Sequence, residues 1–210
     1  MSGAQRGVDR GALIAARTLG YGTGGWCPNG RKAEDGVIPA EFPLTESDDY
    51  RERTRRNVDD SDATLILAYE DVPTGGTKLT LDLVIELEKR GMYLTLVRGA
   101  DVLLNKRVAR FIRGWIEHHR LGMLNVAGPR ESKAPGIERH VTDVMLLALQ
   151  PTDRCICGRL FPSTIWESAA FAEQGSPLRC SACGHTTLAQ DFQPPPIEVL
   201  SGIIRAGAST

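Results

Sequence analysis

The chain has 210 residues, is 41% hydrophobic and carries a formal net charge of -1. That is enough for one domain of ordinary size with a genuine core, plus a small appendage. Its 25 lysines and arginines are interspersed with 26 acidic residues, so no broad positive face exists to neutralise a nucleic-acid backbone, and nucleic acid is not the expected partner. The start lacks a charged segment followed by an apolar one, and no apolar run is long enough to span a bilayer, so a cytoplasmic chain with no membrane partner is expected. In that compartment thiols stay reduced. The clustering of four of the five cysteines near the C-terminus therefore points to metal rather than disulfides.

The first element predicted is a helix over residues 8–19, with Leu13, Ile14, Ala16 and Leu19 at helical spacing, Asp9 in its first turn and Gly20 as a stop. Residues 21–27 read as a short strand running into a long polar loop that continues through Glu34-Asp35-Gly36. A charged, moderately helical stretch over 47–59 precedes the continuous apolar run 63–68, the pattern of a strand buried on both faces. Leu79, Leu81, Leu83, Val84 and Leu87, closed by Gly91, describe the next helix, and 93–97 the next strand. Asp101 caps an amphipathic helix bearing Val108, Ile112 and Trp115, 123–127 is a strand, and a last helix carries Ile137, Val141, Val144 and Met145. Alternating strands and helices give an α/β, Rossmann-like three-layer sandwich with a mostly parallel sheet over residues 1–150.

Beyond it the composition changes. Residues 151–193 form a candidate zinc-ribbon-like module, and 194–210, opening on Pro194-Pro195-Pro196, form a stiff spacer and tail. Cys155 and Cys157 are separated by 22 residues from Cys180 and Cys183, the arrangement of two knuckles around one structural Zn2+. The first pair is one residue short of the standard gap, so its knuckle is distorted or His185 replaces one sulfur. Four protein ligands leave no open position for chemistry.

Three glycine-bearing turns carry the functional signal. They are residues 2–9, Thr74-Gly75-Gly76-Thr77, and residues 125–132, and each precedes a predicted helix. Glycine permits close approach of backbone to ligand, while the first helical turn offers unpaired N–H groups and the positive end of the dipole. The expected ligand is therefore nucleotide-like or phosphorylated. Gly75, Gly76 and Thr77 are the candidate phosphate cradle after Thr74. Arg130 and Ser132 beside Gly128 are the candidate side-chain partners, with Gly3, Gln5, Gly7 and Asp9 forming the opposite wall. Asp9, Glu34 and Asp35 are the carboxylates most able to approach such a groove, and Glu34 and Asp35 are the candidates for assisting a water if the chain is an enzyme. No two of them are spaced on one element as an acid–base pair, and each alone also fits an ordinary surface carboxylate. Cys27 reads as a small buried apolar residue, and Asn57, Ser61 and Asp62 as groups that cap local structure.

The segments 2–10, 24–36, Asn57-Val58 with 60–64, 74–77 and 124–132 together resemble the putative molybdenum carrier family, a circularly permuted branch of the SLOG superfamily of Rossmann-like nucleotide-ligand binders. The resemblance covers residues 2–149. It implies a ligand groove at the strand C-termini and, from the family's name, the molybdenum cofactor, a pterin bearing a phosphate, as cargo. Two departures stand out: the family's apolar strand before its Ser-Gly-Gly-Gln-Thr-Gly turn is missing, and Ala4 and Arg6 replace glycine and threonine. Residues 197–202 have the apolar composition of that missing strand, so either the tail returns to fill its slot in the sheet or the start is truncated and the tail is unstructured.

The function expected is carriage or sensing of a small phosphorylated ligand. One alternative is a phosphoribohydrolase-like enzyme that cleaves the N-glycosidic bond of nucleoside monophosphates. Another is a ligand-sensing interaction protein that holds a protein partner through its zinc module.

Overall fold

A computed structural model describes residues 1–150 and three short strands beyond them, and it places the apolar run of the sequence at the centre of the fold. The elements are α1 (Val8–Thr18), β1 (Trp26–Pro28), β2 (Lys32–Ala33), β3 (Gly36–Val37), β4 (Thr45–Ser47), α2 (Tyr50–Asp59), β5 (Ala63–Ala68), α3 (Gly75–Glu86), β6 (Arg90–Thr95), α4 (Val102–His118), β7 (Leu124–Ala127), α5 (Ile137–Leu149), β8 (Pro177–Arg179), β9 (Thr186–Leu188) and β10 (Ile203–Ile204). The main sheet runs β10-β6-β5-β7, with β5 parallel to both neighbours and β10 antiparallel on β6.

Every residue of β5 is buried because helices cover both faces of the sheet. Alternation along the strand assigns the faces. Ala63, Leu65 and Leu67 pack with Val8 and Ala12 of α1, Ile112 and Trp115 of α4, and Val141 and Val144 of α5. On the other side Ile66 and Ala68 pack with Tyr93 and Leu81, and α2 meets α3 through Val58, Leu83 and Val84. The α/β sandwich with a mostly parallel sheet is thus present over residues 1–150.

Three local expectations change. Gly91 does not stop α3: the helix ends at Glu86, and Gly91 lies inside β6, where a Cβ would fall 2.6 Å from Val84 Cγ1. The glycine is there for close helix–strand packing. The loop after β1 is also less open than its polarity suggests. It holds a 3-10 turn over Asn29–Arg31 and the β2–β3 hairpin, tied down by Arg31 donating to the carbonyls of Ile38, Pro39 and Phe42. Finally, Met1 itself joins the sheet beside β7, its carbonyl accepting from Val126 N at 3.0 Å and its ammonium donating to Leu124 O at 2.5 Å. β10 lies on the opposite edge, against β6; residues 197–202, the candidate for the missing strand, lie outside the described residues.

Cys155, Cys157, Cys180, Cys183 and His185 also lie outside the described residues. The antiparallel pair β8–β9 flanks residues 180–185 in the chain.

Candidate anion-binding site

The three glycine turns converge. Gly3, Gln5 and Asp9 from the first, Thr74 to Thr77 from the second, and Gly128 and Arg130 from the third line one cavity of about 670 Å3 at the C-terminal ends of β5 and β7. This is where a doubly wound parallel sheet leaves room between its loops, and the volume is that of a small-molecule site.

The second turn opens α3. Thr74 is extended and makes no side-chain cap, Gly75 takes a φ of 54°, and the first helical bond recorded into the turn is Lys78 N to Thr74 O. Helix geometry leaves the preceding amides of Gly75, Gly76 and Thr77, residues that line the cavity, without carbonyl partners. The Tyr50 phenol stands over this turn, since a Cβ on Gly76 would lie 2.3 Å from its oxygen.

Behind Tyr50 is a residue that sequence reasoning did not single out. Arg53 of α2 lines the cavity and is only 6% exposed, yet its Nε and Nη1 have no hydrogen-bond partner. Its guanidinium stacks 4.7 Å from the Tyr50 ring centroid. In the sequence Arg53 sits in the run Arg51-Glu52-Arg53-Thr54-Arg55-Arg56, which reads as a solvated face. The available clue was its helical spacing to the buried Asn57.

Asp9 is the carboxylate of the first wall. Burial pushes its pKa up from 3.8 to about 6, an effect only partly offset by Arg53, the Gln5 N–H, the Ser2 hydroxyl and Arg130. Gly3 is packed against it, because a Cβ there would lie 3.0 Å from Asp9 Oδ2. Gln5 donates to the Lys32 carbonyl at 2.9 Å, and Asn125, the second residue of β7, donates to Thr64 Oγ1 at 3.2 Å.

In the third turn Arg130 is exposed and lines the cavity. It is not paired with its neighbour: Glu131 accepts from Gly136 N at 2.6 Å and Glu138 N at 3.1 Å, so it closes the start of α5 instead. Lys133 adds a second cation from the same loop.

Other predicted residues are placed elsewhere. Ser132 gives its N–H, at 3.0 Å, and its hydroxyl to the Glu34 carboxylate. Asp35 pairs with the buried Arg10, which holds its carboxyl below the usual range. Ser132, Glu34 and Asp35 therefore do not line the cavity; they bind the β2–β3 hairpin to the rest of the domain. Gly7 is also outside it. With φ at 120° and a would-be Cβ 2.6 Å from Pro129 O, it is required by the close contact between the first and third turns. Ala4 is buried at a φ of 53°, a conformation that glycine adopts without strain.

Cys27 is buried beside Leu13 and Phe42, as expected of a small apolar residue. Asn57 clamps β1 to α2, accepting from Trp26 N at 2.8 Å and donating to Trp26 O at 2.9 Å, and it also reaches the cavity. Ser61 bonds Val58 O, and Asp62 receives the N–H groups of Gly122 and Met123. Among the described residues no group of three or more His, Cys, Asp or Glu side chains is arranged to hold a metal, and no helix is long and apolar enough to cross a membrane.

Comparison with known proteins agrees with this architecture. The model of the circularly permutated YpsA SLOG family matches residues 1–149. The chain belongs to that family. A SLOG-type assignment fits a sheet whose glycine turns gather at the strand C-termini. A crystal structure of a "Putative molybdenum carrier protein" from Syntrophus aciditrophicus SB is similar at 37% identity and a TM-score of 0.65, covering 70% of this chain and 92% of that one. No curated protein matches the chain. Membership of the SLOG family and this neighbour support a ligand-binding or carrier role in general terms.

Proposed function

We propose that this SLOG protein carries or senses a small phosphorylated, nucleotide-like ligand, held with its anionic group against the N-terminus of α3. The observation that supports this most directly is Arg53. A guanidinium that is nine-tenths buried and has two donors that no protein group meets is costly to bury, and an anion supplies both acceptors and the compensating charge. The α3 amides bind the same group from the other side, and Arg130 and Lys133 close over it from the loop after β7. The name of the Syntrophus neighbour makes the molybdenum cofactor, a phosphorylated pterin, one candidate cargo; a nucleoside phosphate is the other.

Four thiolates, from Cys155, Cys157, Cys180 and Cys183, are proposed to hold a structural Zn2+ in the C-terminal module, leaving that module free to engage a protein partner.

Mass spectrometry of small molecules released from the purified native protein tests the ligand class. A pterin phosphate or a nucleotide is the expected recovery. Failure of pyrophosphate and of every mononucleotide to bind the emptied protein overturns the proposal.

A further inference from the structure

The anion end of the cavity says nothing about what the anion is attached to; the wall built from Gln5, Asp9 and Asn125 of β7 does. Three side chains there present acceptors. The Asp9 carboxylate lines the cavity and makes no salt bridge among the described residues; the Gln5 N–H and the Ser2 hydroxyl are the donors that act on it from the protein, which leaves it acceptor sites to offer a ligand. Gln5 and Asn125 each commit an amide N–H to the protein, to Lys32 O and to Thr64 Oγ1. Each of these two amides keeps its carbonyl oxygen and one further N–H, so the acceptor-only group of this wall is the Asp9 carboxylate.

We propose that Asp9 is the specificity-determining residue of this site, and that it selects a phosphorylated heterocycle whose edge offers an adjacent ring N–H and exocyclic NH2. That is the 2-amino-4-oxo pyrimidine edge shared by guanine and pterin rings, and its two parallel donors match the two oxygens of one carboxylate. Adenine has a single NH2 beside ring acceptors, so it leaves one oxygen of Asp9 facing a lone pair. A buried acceptor left unpaired, or set against another acceptor, rejects the wrong ligand far more strongly than a shape mismatch does. This inference rests on the proposed anion site and adds the identity of the group beyond it.

The electrostatics are consistent. The Met1 amine also feels Asp9, but burial lowers its pKa to about 6 and leaves it largely neutral at pH 7; Arg53 and Arg130 are the cations that act on the carboxylate. They keep the carboxyl ionised at neutral pH despite its burial, which is the state that accepts two N–H groups. Below about pH 6 it takes up a proton, becomes a donor on one oxygen, and loses its match to the paired donors. Gly3 contributes by its lack of a side chain, since a Cβ there would crowd Asp9 Oδ2.

The test is calorimetric titration of the emptied protein at pH 7.5 with GMP, IMP, XMP, AMP and 6-hydroxymethylpterin phosphate, with pyrophosphate as the probe of the anion end alone. The expected result is that GMP or the pterin phosphate binds at least tenfold tighter than AMP, with IMP, which lacks the 2-amino group, between them, and XMP, which carries a carbonyl there, no tighter than AMP. Whichever of the first two binds tighter identifies the source of the shared edge. In Asp9→Asn the ratio of GMP to AMP affinity should collapse toward one, and in the wild-type protein it should shrink between pH 7.5 and 5. Equal or tighter binding of AMP in the wild-type protein overturns the inference, as does an unchanged ratio in Asp9→Asn. If pyrophosphate binds and the bases are not discriminated, only this inference fails; if pyrophosphate does not bind either, the anion site fails with it.

Discussion

Replacing Arg53 by methionine separates a ligand-binding role from a structural one, because the two predict opposite signs. In the empty protein Arg53 is buried with Nε and Nη1 unpartnered, and each unmet buried donor costs about 1–3 kcal/mol. Methionine keeps much of the volume and removes both donors. The loss of the guanidinium's stacking on Tyr50 returns about 1 kcal/mol in the other direction. Removing the cation also weakens the field on Asp9, but that carboxyl answers by holding its proton more tightly. The net expectation for Arg53→Met is a stability higher than the wild type by about 1–5 kcal/mol. Affinity for pyrophosphate should fall by about 10- to 100-fold, the loss of charge-assisted hydrogen bonds worth about 1.5–3 kcal/mol. Arg53→Lys keeps a charge without the planar fork and should fall between the two. Denaturant melts and calorimetry on the same samples read both quantities. A variant that loses more than about 2 kcal/mol of stability while binding pyrophosphate normally refutes the reasoning, since a buried arginine of purely structural use behaves in that way.

Three further outcomes follow from the same geometry. Asp9 has a folded pKa of about 6 against 3.8 in the unfolded chain, so the folded state holds a proton that the unfolded state releases, and the stability of the empty protein falls as pH rises from about 4 to 6. At about 1.4 kcal/mol per unit this amounts to ~3 kcal/mol by pH 7. Urea titrations at several pH values should show Asp9→Asn gaining that difference over the wild type above pH 6 and none of it at pH 4; parallel curves would contradict it. Gly11→Ala sets helix propensity against packing: alanine favours α1 by about 1 kcal/mol, but its Cβ would fall 2.4 Å from Glu138 O of α5, so a net loss of about 1–3 kcal/mol is expected in a thermal melt. Purified full-length protein should contain one zinc per chain by elemental mass spectrometry, with Cys180→Ser abolishing it; a metal-free wild-type protein would end the zinc reading.

Pattern alone carried much of the domain. The run 63–68 admits only a strand buried on both sides, the 3.6-residue spacing in residues 137–149 admits only an amphipathic helix, and Asp101 caps α4 as expected, accepting from Leu104 N at 2.8 Å. These are local effects, in which a residue's neighbours in sequence are also its neighbours in space. The glycine turns were legible for a related reason, since a turn feeding a helix is a local feature, and residues of all three line one cavity.

Long-range contact decided the rest. Glu34 and Ser132 are 98 residues apart and lie outside the cavity because they bond one another. Arg10 draws Asp35 in the same way. Nothing in the composition around Arg53 distinguishes it from Arg51, Arg55 and Arg56; only the packing of α2 over the cavity turns one arginine of the four inward and leaves it without acceptors. Sequence by itself determined the elements and which glycine turns would stand at their ends. The tertiary structure determined which charged groups meet, because the burial that shifts Asp9 and strands Arg53 exists only once the sheet and its two helical layers have closed around them.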